Sequence, residues 1–136
     1  MSRSGSLLAL AVVVLTTSGC SRVREIRACR AIVREVNGAL AEVQQLSEAK
    51  PVDEPRIARR YGDLAKALVP YAQGESSLAI AMRDYIAVVQ STEVAVRAHA
   101  NAVSTQGRVS EARRELDKLT KRERAAASRI ENECAH

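Results

Sequence analysis

The chain has no Phe and no Trp, and its three Tyr make up only 2% of 136 residues. Base stacking, sugar platforms and large aromatic ligand pockets therefore have almost nothing to be built from. Glycine and proline are sparse as well, at six and three, which argues against a many-turned sandwich or barrel. No apolar run approaches the roughly 20 residues a helix needs to cross a bilayer; the longest is Leu7 to Leu15. No Walker loop, GxGxxG, GxSxG or HExxH occurs, so neither an enzyme nor a cofactor is expected. What is present is an ordinary globular balance of 46% hydrophobic and 27% charged residues. One domain is expected, and wholesale disorder and collagen-like repetition are excluded.

Arg3 followed by the apolar run Leu7 to Leu15 reads as the charged and hydrophobic parts of a secretory signal peptide. Thr16-Thr17-Ser18-Gly19-Cys20 comes next. This stretch resembles the bacterial lipobox, in which small residues precede a Cys that is diacylated on sulfur before signal-peptide cleavage. Ser18 and Gly19 fit that pattern, and Thr17 stands where Leu is usual. The resemblance covers residues 1–20 alone. It implies a signal peptide over residues 1–19, a lipid-bearing Cys20 at the start of the mature chain, and a place in the bacterial cell envelope. Ser21 replaces the Asp that favours inner-membrane retention, which by the same resemblance implies an outer-membrane anchor facing the periplasm. The alternative readings are a plain signal peptide, or a buried helix with an incidental Cys.

If Cys20 carries lipid, Cys29 and Cys134 remain as one candidate disulfide in an oxidising compartment. Two buried free thiols are the other possibility. The spacing excludes CxxC redox chemistry and CxxCH haem attachment.

From Ser21 onward the apolar positions keep a helical period. Ile26, Cys29, Val33, Val36, Leu40 and Val43 form a 3-4-3-4-3 seam that stops near Lys50-Pro51. Asp53-Glu54-Pro55 is a helix start, and Ile57, Tyr61, Leu64 and Leu68 are the seam of a short second helix that Pro70 ends. The third seam runs Leu78, Met82, Tyr85, Val89, Thr92, Val96, His99 and Val103, with Gly107 as its stop. The fourth runs from Val109 through Leu116, Leu119, Ala126 and Ile130 to Cys134, with Glu115–Lys118 and Asp117–Lys121 as helix-spaced ion pairs. The expected fold is all-α, an antiparallel up-down-up-down bundle of four helices over residues 20–136. That topology brings the start of the first helix and the end of the fourth to one end. A Cys29–Cys134 bridge is then within reach.

The formal charge is +5. Arg22, Arg24, Arg27, Arg30 and Arg34 stand against Glu25 alone between residues 21 and 34, whereas residues 35–136 hold 15 basic and 15 acidic residues. The excess thus lies beside Cys20, as a candidate patch for anionic headgroups. No zinc-finger, RRM or helix-turn-helix pattern accompanies it, so nucleic acid is not expected as a partner. His99 lies on the third seam as a packing residue, His136 is terminal, and Cys134-x-His136 has too few ligands for a zinc site, so no metal is expected. Met82 reads as core, Glu111 and Glu115 as a solvated face, and Tyr61, Tyr71 and Tyr85 as packing between helices two and three. The expected function is a small non-enzymatic envelope lipoprotein, a binding or structural module partnered with the membrane through Cys20 and with another envelope protein. The alternatives are a periplasmic regulator or inhibitor that binds a partner protein by a helix face, and a small-ligand or metal carrier.

Overall fold

The computed structural model describes residues 17–136. The apolar run Leu7 to Leu15, and with it most of the expected signal peptide, lies outside the described residues. Four helices pack against one another: α1 (Thr17–Glu48), α2 (Glu54–Leu68), α3 (Ser77–Ser104) and α4 (Val109–Cys134), with a single 3-10 turn, Val69–Ala72, between α2 and α3. No strand occurs among the described residues. The all-α bundle read from the periodicity is the observed fold.

Local chemistry sets the boundaries. The Asp53 carboxylate accepts the Arg56 N–H at 3.1 Å and opens α2, with Glu54 and Pro55 in its first turn. Pro70 cannot supply the next helical N–H, so α2 gives way at Leu68 to the 3-10 turn. Ser76 opens α3 by accepting the Ala79 N–H at 3.1 Å, while Arg83 donates to the carbonyls of Ala72 and Gly74 and fastens the turn to α3. At the far end of α3 the Gly107 N–H reaches the Ala102 carbonyl at 2.8 Å and the Gln106 N–H reaches Val103 at 3.4 Å, the paired bonds of a Schellman cap. The left-handed residue of that cap is Gln106, at φ 54, not the Gly107 that the sequence offered as the stop.

The core is made of few large side chains. Tyr85, Ile32, Leu64, Leu68, Met82 and Val89 are fully buried, with Ala39, Ala65, Ala81 and Ala126 between them. A smaller cluster of Ile57, Ala58 and Val96 continues toward the α1–α2 connection, where Val43, Leu46 and Leu116 cover it. α3 packs extensively against α2 and α4, and α1 packs mainly against α2; the interface between α1 and α4 is slight.

Two seams differ from their sequence reading. On α1 the buried residues are Ile32 and Ala39, whereas Ile26 is 48% and Val33 45% exposed. Cys29, Val36 and Val43 belong to both versions. A run through positions 29, 32, 36, 39, 43 and 46 has the same 3-4 rhythm as one through 26, 29, 33, 36, 40 and 43, so spacing alone does not choose between them. On α3, Val103 is 51% exposed, because the packed part of the bundle ends before the last turn. Of the two expected ion pairs on α4, Glu115 and Lys118 meet at 3.8 Å; Asp117 and Lys121 do not come within ion-pair distance, and both are exposed.

Candidate functional site at the free end of the first helix

α1 runs on beyond the bundle. Cys29 on α1 and Cys134 at the end of α4 form a disulfide with a Cα–Cα distance of 5.7 Å, inside the usual window for such a bridge. Residues 20–27 are all exposed. At 1.5 Å per residue, Cys20 therefore stands about 14 Å past the disulfide. Cys20 is a free, exposed thiol, carried on the helix itself, since α1 already includes Thr17. That is four residues before the mature helix expected from Ser21, and no proline lies there to stop it.

The five arginines of the charged segment do not form one patch. Arg22 turns toward the end of α4 and donates to a backbone oxygen of His136 at 3.2 Å. Arg27, Arg30 and Arg34 follow Cys20 and Val23 at 3-4-3-4 spacing and so share one face, and all five of these residues are exposed. Arg34 is two residues beyond buried Ile32, about 200° around the helix, so this face points away from the core. Arg24 lies off that stripe. Val23 and Ile26 were not singled out as surface residues from the sequence, yet with Val33 they are 45–50% exposed beside the arginines. Their signal was an apolar residue on a turn that has no neighbour to cover it.

Several clefts mark the described surface, and two of them lie beside the candidate residues. Between α1 and α4 lies a cleft of about 120 Å³, floored by Ile32, Tyr85 and Ile130 and edged by Val33, Asn37 and Glu131. It is smaller than the roughly 300–1,000 Å³ of small-molecule sites. A wider groove of about 620 Å³ follows the outer side of α3 and α4, with Ala87, Ser91, Val94 and Ala95 on one wall and Leu119 and Arg122 on the other.

The remaining candidates are core residues, interhelical contacts or surface residues. Met82 is core. Tyr85 is fully buried and donates its hydroxyl to Glu123 Oε1 at 2.8 Å, bridging α3 to α4. Burial pushes the Tyr85 phenol well above its ordinary value, and the Glu123 carboxylate adds to the shift. Tyr61 is raised for the same two reasons, burial first. Tyr61 and Tyr71 pack against the same core. His99 has a partner that its seam position did not reveal: its Nδ1 lies 2.6 Å from Glu54 Oε2, tying the end of α3 to the first turn of α2. Glu111 is on the surface with Arg108 at 3.5 Å. Among the described residues no helix is long and apolar enough to cross a membrane. Among them, too, no group of three or more His, Cys, Asp or Glu is arranged to hold a metal ion. Compared with protein-family models, curated proteins and solved structures, the chain matches none.

Proposed function

We propose that the protein is a lipoprotein of the bacterial envelope, a disulfide-stapled helical bundle tethered through lipid on Cys20 and acting there as a non-enzymatic binding or structural module. The observation that carries this reading is the division of labour among three cysteines. Cys29 and Cys134 are joined to each other, a pairing that needs an oxidising compartment. Cys20 is left single and exposed on the part of α1 that projects beyond the bundle. A lipid there meets a bilayer without disturbing the core, and Ser18-Gly19-Cys20 supplies the lipobox-like sequence for attaching it. Intact-mass analysis of the protein from its membrane fraction is expected to give a chain beginning at Cys20 with acyl mass added, and Cys20→Ala is expected to release or mislocalise it. A soluble wild-type product cut elsewhere, with a free Cys20 thiol, would sink the proposal.

A second reading, recognition of a partner protein by a helix face, draws on the α3–α4 groove, where Val94 is 66% exposed with Ala87, Ser91 and Ala98 at helical spacing on either side. A photo-crosslinking residue in place of Val94 is then expected to give one discrete adduct in the native envelope, which Ala98→Glu removes. Adducts that are indifferent to Ala98→Glu count against it.

A further inference from the structure

Charge changes sign halfway along α1. From Cys20 to Arg34 the helix carries five arginines and one acid, Glu25; from Glu35 to Glu48 it carries Glu35, Glu42 and Glu48 and no base. The remaining helices show no such segregation, and α4 interleaves acids and bases along its whole length. Within the cationic half, the outward stripe holds Val23, Arg27, Arg30 and Arg34, with half-exposed Ile26 and Val33 along its flank; Val23 and Ile26 lie on turns that project beyond the bundle, where no core covers them. Branched apolar side chains at headgroup depth, flanked by guanidinium groups that reach back to phosphate, are what an interfacial helix presents to a membrane. The stripe is continuous with Cys20, one helical face from anchor to Arg34.

We propose that this face is a docking surface for anionic phospholipid headgroups. It holds the bundle on its α1 flank, with the Cys20 end pressed to the bilayer and the Glu35–Glu48 half lifted away from it by like charge. The proposal rests on the anchoring reading for its starting point. The lipid supplies residence and the arginines supply orientation, because several acyl chains hold a protein at a membrane without help from charge. Arg22 is outside the surface, since its guanidinium is turned to the end of α4.

The test uses the protein extracted from its own envelope and reconstituted in vesicles of phosphatidylcholine alone or with 30% phosphatidylglycerol added (about that fraction gives a surface as anionic as a natural leaflet). Arginines are labelled with a dicarbonyl reagent and the sites read by mass spectrometry. Three arginines at about fivefold each in surface affinity multiply to about a hundredfold, so labelling of Arg27, Arg30 and Arg34 is expected to slow by at least about tenfold on the anionic vesicles. About 1 M salt should restore it, and Arg113, Arg114 and Arg124 on α4 should label alike throughout. Polarised infrared dichroism should show the helices inclined toward the anionic bilayer plane, an inclination that R27Q/R30Q/R34Q loses while keeping its disulfide and helicity. Even labelling on both vesicle types, or protection of the α4 arginines instead, overturns the proposal. Intact mass separates the two ideas: lipidated Cys20 with even labelling fails the docking face alone, and unlipidated Cys20 with protected arginines fails the anchor alone.

Discussion

Gln106 is the one non-glycine residue at positive φ among the described residues, at 54°, and it sits at the left-handed position of the α3 cap. Glycine has no Cβ to clash there, and a side chain costs roughly 1 kcal/mol. Gln106→Gly is therefore expected to raise stability by about 0.5–1 kcal/mol, seen as a higher melting temperature with unchanged helicity; a loss of stability would show that the Gln side chain does something the cap geometry does not reveal. Tyr85 makes the opposite kind of contribution. Its hydroxyl is spent on Glu123 across the α3–α4 interface, so Tyr85→Phe is expected to cost about 1 kcal/mol at neutral pH. The same phenol gives the protein an alkaline limit. Its folded-state pKa lies above the unfolded value of about 10, so its contribution is complete below that value and is lost as pH rises past it, at up to about 1.4 kcal/mol per pH unit. Denaturant melts above pH 10 should fall more steeply for wild type than for Tyr85→Phe. Parallel slopes would mean that the phenol ionises in place.

At the scale of the helix, the rotation of α1 is the decisive feature. The same spacing rule fits a seam through Val33 and a seam through Ile32, and the structure uses Ile32 and Ala39, which lets α1 settle on α2 while the arginine stripe faces outward. Ile32→Ala is accordingly expected to cost about 2–5 kcal/mol as a core truncation, and Val33→Ala to stay within about 0.5 kcal/mol as a surface change. Chemical denaturation of the two variants side by side settles the rotation, and a reversed ranking would turn the helix back. Several element boundaries were legible because they rest on local chemistry: Asp53 at the start of α2, Pro70 as a breaker, Pro51 beyond the end of α1; the Ser76 cap of α3 came from the structure. The rotation of α1 was not, because a helix that packs chiefly on one neighbour leaves Ile26 and Val33 outside and is apolar on more than one side. The Glu54–His99 contact was illegible for a related reason. It joins residues 45 positions apart through a meeting of helix ends that no periodicity encodes.

At the scale of the molecule, counting and topology converge on one bond. An even number of antiparallel helices brings the start of α1 to the end of α4, and that is where Cys29 and Cys134 close a loop with a sequence separation of 105. The bond lies in a weak seam of the bundle, between two helices that share little surface and are otherwise parted by the Ile32–Tyr85–Ile130 cleft. Closing a loop of that length stabilises by about 4–5 kcal/mol in the chain-entropy model. Cutting it should not fall equally on all four helices, because α3 remains buried between α2 and α4 while α1 is held mainly by α2. Reduction of the native protein, or Cys134→Ser, is therefore expected to lower the unfolding free energy by several kcal/mol while leaving the helical circular dichroism of the cold protein largely in place. Hydrogen exchange gives the finer result: amides of α1 around Ile32 and Val36 should lose protection first, with those of α3 around Met82 and Val89 following only at global unfolding. If α1 and α3 lose protection together on reduction, α1 is not a separately released element, and the disulfide acts on the bundle as one cooperative unit.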